Sequence, residues 1–206
     1  MARAGVTHRA RTVGAGAALL LCLPAIAHAH LVTTGLGPIY DGISHLFVSF
    51  DDLLVVVAMA LLAGLGGPSA GRQTLFALPS AWLVGGVAGY LGRVTVLPAG
   101  ITSLSLLALG ILVALNVRLA PWIATTVAVV VGVAHGWLNG TAIASAGREA
   151  SGLVGIAGAA FVVAALVLGG VVSLRAPWTR IAVRVAGSWI AAIGLLLLGW
   201  TLKGRL

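Results

Sequence analysis

Long runs of apolar residues, separated by single charged residues, fill the chain from residue 52 to residue 202. Nineteen uncharged residues separate Asp52 from Arg72, and the five later uncharged intervals hold 20, 24, 29, 25 and 18 residues. Each interval is close to the roughly 20 apolar residues with which a helix crosses a bilayer core about 30 Å thick. The pattern predicts an all-α, polytopic membrane helix bundle with six transmembrane helices, near 52–68, 74–92, 96–117, 121–145, 151–174 and 183–202.

A different pattern precedes these spans. Three arginines within the first eleven residues are followed by an apolar stretch, residues 13–26, which ends at the A-x-A sequence Ala27-His28-Ala29. A basic start, an apolar centre and a small-residue end are typical of a cleaved secretory signal peptide. We therefore expect residues 1–29 to be a signal peptide and residues 30–206 to form one six-helix transmembrane domain.

The signal peptide also predicts the orientation, because it delivers the mature N-terminus to the outer side and helix 1 then runs inward. Five arginines fall in the resulting internal loops and two in the external loops, as the positive-inside rule requires. The internal set is Arg72, Arg118, Arg175, Arg180 and Arg184, and the external set is Arg93 and Arg148. The C-terminal Lys203 and Arg205, which lie outside in this topology, are the exception. We expect a multi-pass protein of a bacterial inner (plasma) membrane.

Composition excludes several function classes. The chain is 60% hydrophobic and 8% charged, with a mean hydropathy of +1.14, whereas soluble domains carry about 25% charged residues. The lipid bilayer is therefore the expected partner. The net charge of +8 comes from basic residues spread singly along the chain, so no patch for nucleic acid is expected. The single cysteine, Cys22, leaves with the signal peptide, which excludes disulfides and thiolate metal sites from the mature chain.

Side chains that can bind a metal ion gather in two places. The segment leading into helix 1 carries five of them, and predicted helix 4 carries two, one turn apart. Titratable groups at membrane depth are costly and so indicate a function. His135 and Asn139 lie roughly 21 Å and 27 Å along helix 4 from the inner face, so both places can meet in the outer half of the bilayer. The complete set is His30, Asp41, His45, Asp51, Asp52, His135 and Asn139.

Imidazole, amide and carboxylate donors without thiolate favour divalent nickel, cobalt, copper or zinc over copper(I). We therefore expect an outward-facing His/Asp/Asn site at which a divalent metal ion is the substrate, with His135 and Asp51 in one site. If cleavage follows Ala29, His30 can chelate through its α-amine and its imidazole. No organic cofactor is expected.

Each candidate has a structural alternative. Asp51 and Asp52 can cap helix 1, whose N-terminus favours carboxylates. Asp41 can be a turn residue within Tyr40-Asp41-Gly42. His45 can lie at the membrane interface, and His135 can donate one hydrogen bond to a neighbouring helix.

These residues resemble the HupE/UreJ family of membrane proteins, whose first-helix hallmark is HPxxGxDH. The aligned stretch here runs from His45 to Asp52 and keeps the first His and the Asp at position 51, while Asp52 replaces the second His. The helix 4 hallmark, HGxxHG, aligns with His135 to Gly140, where Asn139 replaces the second His. Both departures remove an imidazole, which makes the site more oxygen-rich.

The resemblance implies a function in nickel uptake for hydrogenase or urease. The predicted function is a membrane permease for a divalent transition-metal ion, with nickel favoured, and not an enzyme. The alternative is a membrane-embedded assembly or maturation factor for a metalloenzyme, and a homo-oligomer or maturation partners remain open. An intramembrane hydrolase using Ser44 or Ser49 with a histidine is disfavoured, because no GxSxG-type context surrounds either serine.

Overall fold

A computed structural model of the chain describes residues 33–92, 100–174 and 176–203. The predicted signal peptide and His30 lie outside the described residues. The described residues form seven helices and no strand. In chain order they are α1 (Pro38–Val48), α2 (Phe50–Leu65), α3 (Pro68–Leu91), α4 (Ile101–Ala114), α5 (Pro121–Ser145), α6 (Gly152–Ser173) and α7 (Pro177–Lys203).

Four of these helices, α3, α5, α6 and α7, are long and apolar enough to cross a membrane. The pair α1 and α2 forms a fifth candidate span, bent by 77° at its break. The 14-residue α4 is apolar but short, since it extends only about 21 Å. The chain is therefore a helical membrane protein with four or five candidate spans in its described part, and the count of six stays a prediction.

Glycines bring α3 and α5 together at close backbone distance. Three glycines of α5 pack against backbone carbonyls of α3, each one turn further along both helices. The pairs are Gly132 with Leu78, Gly136 with Trp82 and Gly140 with Gly86. The constant offset means that α3 and α5 run in the same direction. Small residues permit this approach because van der Waals packing, rather than hydrophobic burial, drives helix association in lipid.

Two other contacts orient the rest of the bundle. Gly64 near the end of α2 packs on Val171 near the end of α6, and Gly42 of α1 packs on Gly152 at the start of α6. The α1–α2 segment therefore follows α6 from one end of the bundle to the other. This arrangement places the start of α2 and the end of α5 at the same end, as the alternating topology predicts.

Several predicted boundaries need correction. Helix α3 begins at Pro68 and α7 at Pro177, several residues before the predicted starts at 74 and 183. Arg72, Arg180 and Arg184 therefore lie within helices and not in loops. The prediction treated each charge as the end of a span, whereas a long arginine side chain can lie in an end turn and extend its guanidinium to the interface. The helix α1 and its sharp break before α2 were not predicted.

Candidate metal site between α2 and α5

The start of α2 meets the C-terminal half of α5 through a buried carboxylate. Asp52 lies in the first turn of α2, and its Oδ1 lies 2.8 Å from Nδ1 of His135. The other carboxylate oxygen accepts a hydrogen bond of 2.8 Å from Nδ2 of Asn139. Asp52 is 7% exposed, His135 0% and Asn139 3%, so the three side chains form one buried polar cluster.

Asn139 joins the two helices because its amide nitrogen makes two hydrogen bonds. Besides the bond to Asp52, Nδ2 donates to the backbone carbonyl of His135, one turn earlier, at 2.9 Å. The i, i+4 spacing on one helix face brings His135 and Asn139 together. The amide orientation that follows leaves Oδ1 as a free acceptor.

Two buried polar atoms of this cluster have no hydrogen-bond partner in the described part of the chain. They are Nε2 of His135 and Oδ1 of Asn139. A buried polar atom without a partner is costly, and such an atom at a binding site is available to a ligand. Asp52 accepts a hydrogen bond from Nδ1–H of His135, which favours the tautomer whose lone pair is on Nε2. A carboxylate commonly supports a metal-binding imidazole in this way.

An aromatic side chain packs beside the imidazole. The rings of Trp82 and His135 are 5.4 Å apart between centroids and tilted by 38°, and Trp82 is 1% exposed. Gly136 packs directly against the backbone carbonyl of Trp82, which holds Trp82 next to His135. The ring position of His135 is therefore determined by α2, through Asp52, and by α3, through Trp82.

The contact with His135 falls on Asp52, whereas the prediction had paired His135 with Asp51. Asp51 is the residue before it in α2 and is only partly buried. Neither acid caps the helix, since Ser49 occupies the N-cap position and no side-chain capping bond is found there. Both lie in the first turn, where the helix dipole favours negative charge.

His45 occupies a separate position near the end of α1. Its ring is buried, and both ring nitrogens lie 3.3–3.4 Å from the hydroxyl of Ser49 at the break. Within the described residues no carboxylate hydrogen-bonds to His45. A serine hydrolase needs a third group to orient its base, so this Ser-His contact lacks that part of the machinery.

Asp41 is tied into a different network. Its Oδ1 accepts hydrogen bonds from the backbone N–H and the hydroxyl of Thr34, at 2.6 and 2.7 Å. Its Oδ2 pairs with Arg148 at 3.2 Å, and Arg148 also donates to the hydroxyl of Thr33. These bonds close the turn before α1 and tie it to the α5–α6 loop, which favours a structural role for Asp41.

Of the seven predicted site residues, the structure brings three into direct contact, Asp52, His135 and Asn139. Across the described ranges, no group of three or more His, Cys, Asp or Glu side chains is arranged to hold a metal ion. The cluster contains two such residues and an amide, so it offers fewer charged donors than expected. Metal binding stays a prediction for all seven residues.

Two buried residues of α3 with unpartnered polar atoms were not predicted from the sequence, and one of them, Trp82, packs beside His135. Thr74 and Trp82 lie eight residues apart on α3, both are fully buried, and neither Oγ1 of Thr74 nor Nε1 of Trp82 has a partner among the described residues. Their i, i+8 spacing on an otherwise apolar helix face was the available signal. Apolar periodicity conceals such residues, because a threonine or a tryptophan fits a buried helix face without a charge.

The chain is similar to known membrane proteins over most of its length. The model of the family described as HupE / UreJ protein matches residues 17–197. Protein HupE of Rhizobium leguminosarum bv. viciae is 29% identical over 183 residues, which cover 86% of this chain and 93% of that protein. No solved structure matches.

Proposed function

Since the chain belongs to the HupE/UreJ family, we propose that it is a membrane permease for a divalent transition-metal ion, with nickel favoured. The observation that carries this proposal is the buried cluster of Asp52, His135 and Asn139 with its two unpartnered donor atoms. A polar cluster inside an apolar bundle is costly to maintain. Binding a cation is a function that offsets this cost.

Each residue has a separate role in the proposed site. His135 Nε2 and Asn139 Oδ1 bind the ion, and Asp52 positions both side chains while its negative charge attracts the cation. A nitrogen and an oxygen donor suit the divalent ions of the later first transition series. Two protein donors leave the remaining coordination positions to water or to nearby groups such as Asp51. An incomplete shell binds weakly, which suits a site that must also release its ion.

The proposal includes an orientation. The cluster lies at the start of α2 and near the end of α5, which is the outer end in the topology predicted from the signal peptide. The site then faces outward in a bacterial inner membrane and receives ions from outside. The broken α1–α2 span supports a binding role at this depth, because non-helical backbone within a membrane occurs where it is buried in protein or lines a cavity.

The test is metal accumulation in cells that lack the native gene and express either the wild-type chain or a variant. Nickel, cobalt, copper, zinc and manganese are each measured in cell extracts after exposure to the labelled ion. We expect the wild type to raise accumulation of at least one ion, nickel foremost, and His135→Ala to abolish the increase. Glu149→Gln is the matched control for Asp52→Asn, because it removes an exposed carboxylate at the same end of the bundle.

The outcomes separate the candidate functions. Loss of uptake in His135→Ala and Asp52→Asn, with Glu149→Gln unchanged and all proteins present in the membrane, supports a permease. Unchanged accumulation of every ion contradicts it. If accumulation is unchanged but a nickel enzyme in the same cells loses its metal, the alternative of a membrane-embedded maturation factor is supported instead.

A further inference from the structure

A cavity of about 260 Å³ opens at the end of the bundle opposite the Asp52 cluster. It is lined where α2 ends and α3 begins, where α6 ends, and where α7 begins. About 24 Å of helix separates the two ends along α2. The residues that line the cavity and enter the argument are Gly67, Pro68, Arg118, Val171, Arg180 and Val183.

Two arginines from distant parts of the chain converge on this cavity. Arg118 comes from the α4–α5 loop and Arg180 from the first turn of α7. No hydrogen bond or ion pair within the described ranges engages either guanidinium. The four carboxylates of the chain, Asp41, Asp51, Asp52 and Glu149, all belong to the opposite end. Two like charges therefore face one space without a counter-charge from the described protein.

The start of α3 adds to the positive character of the same space. Helix α3 has 24 residues, and its first backbone bond runs from the N–H of Gly71 to the carbonyl of Gly67. Gly67 and Pro68, at the start of this helix, line the cavity. The positive end of the α3 dipole therefore borders the space that the two guanidinium groups face.

The other side chains of the lining are apolar, although backbone and guanidinium atoms make most of its accessible surface polar. Val171 and Val183 form a wall from α6 and α7, and Trp178, in the first turn of α7 beside Arg180, is exposed. A site with two guanidinium groups beside valine side chains, in a chain that spans a membrane, fits a molecule that is anionic at one end and apolar at the other. Basic pockets between membrane helices commonly bind anionic lipid headgroups in this way.

We propose that this cavity binds the phosphate group of an anionic phospholipid, held by Arg118 and Arg180 at the start of α3. A guanidinium fork matches phosphate oxygens in geometry as well as charge. In the predicted orientation the cavity faces the inner leaflet. The bound lipid would join the α2–α3 turn to the α4–α5 loop and to α7, segments that are far apart in the chain.

The test is native mass spectrometry of the full-length protein in detergent, titrated with phosphatidylglycerol or with phosphatidylcholine. We expect phosphatidylglycerol to bind the wild type more tightly than phosphatidylcholine does. Replacing both arginines, Arg118→Gln with Arg180→Gln, should weaken phosphatidylglycerol binding about 25-fold, or about fivefold for each arginine. Arg72→Gln is the matched control, since Arg72 is exposed near the start of α3 but outside the cavity lining.

Two further measurements complete the test. The first adds inorganic phosphate at millimolar concentration to the wild type with bound lipid. Displacement of the lipid would show that the site takes a free phosphate group, whereas no displacement supports the lipid as ligand. If the double variant does not fold, Arg118→Lys and Arg180→Lys, which keep the charge but lose the fork, should each weaken binding less than the single glutamine variants do. An equal loss in Arg72→Gln, or no loss in the double variant, would overturn the proposal. None of these results depends on metal transport.

Discussion

At the scale of single residues, hydrogen-bond capacity decides what the polar cluster can do. Asp52 uses both carboxylate oxygens, one for His135 and one for Asn139, and Asn139 uses its amide nitrogen twice. One imidazole nitrogen and one amide oxygen remain. The two departures from the family's histidine hallmarks, at positions 52 and 139, are thus in direct contact and form one unit.

Removing the carboxylate of Asp52 should destabilise the protein. In Asp52→Ala, Nδ1 of His135 loses its acceptor and Nδ2 of Asn139 keeps only one of its two, the carbonyl of His135. Each buried N–H that is left unpaired costs about 1–3 kcal/mol. We expect a clear drop in melting temperature of the purified protein in detergent. Asp51→Ala, one residue away, should change the melting temperature far less. Equal losses in the two variants would show that the hydrogen bonds of Asp52 contribute nothing specific.

Substitutions at positions 52 and 139 should be coupled. Asn139→His adds an imidazole, as in the HGxxHG hallmark, and Asp52→His does the same for HPxxGxDH, but each single change breaks the bond of 2.8 Å between the two side chains. We expect the double variant to accumulate more nickel than the product of the two single effects predicts, because residues in contact are not additive. Nitrogen donors should also raise the preference for nickel over manganese. Additive effects on nickel accumulation would contradict this coupling.

At the scale of helices, glycine positions decide which faces meet. The α3–α5 contact depends on glycines that pack directly against backbone carbonyls of the neighbouring helix, where any side chain would collide. The same contact holds His135 beside Trp82. Packing and the candidate site therefore depend on one register, so a shift of α5 along α3 would separate His135 from both Trp82 and Asp52.

A methyl group at Gly136 should disrupt this register. Its Cβ would collide with the carbonyl of Trp82, so Gly136→Ala must move α5 away from α3. We expect a strong loss of thermal stability together with loss of metal accumulation. Gly158→Ala is the matched control, because a Cβ at Gly158 of α6 meets nothing within 4 Å. Similar stability of the two variants would contradict the close approach at Gly136.

At the scale of the whole molecule, the carboxylates lie at one end and most of the arginines at the other. The four carboxylates belong to the end that carries the Asp52 cluster, together with Arg148 and Lys203, whereas Arg72, Arg118, Arg180 and Arg184 lie towards the other end. This separation agrees with the positive-inside rule if the cluster faces outward. The predicted orientation and the arrangement of the helices therefore favour the same sidedness.

Cysteine labelling in intact cells tests that sidedness. In a Cys22→Ser background, we expect Ala146→Cys, at the end of α5, to react with a membrane-impermeant maleimide. Ala120→Cys, just before α5, should react only after the membrane is permeabilised. Both positions are exposed, so the difference reports the side of the membrane. The reverse pattern would refute the outward orientation of the cluster.

Much of the fold could be predicted because the constraint on a membrane span is local. A helix across hydrocarbon must satisfy its own backbone and remain apolar for about 20 residues. Each uncharged interval therefore contains most of one described helix, although α3 and α7 begin before the predicted starts. Predicted helix 4, residues 121–145, matches α5 at both ends. The sequence alone also placed the few polar side chains in two places that the topology could bring together.

Tertiary structure alone decided the details of the site. The break at Ser49 is seen only in the folded chain. The choice of Asp52 over Asp51 as the partner of His135, and the two atoms left unpaired, depend on how α2 meets α5. His135 and Asn139 lie 83 and 87 positions after Asp52 in the chain. Successive residues of a helix point in directions about 100° apart, so only the packed position of α2 selects which of two adjacent acids reaches the histidine.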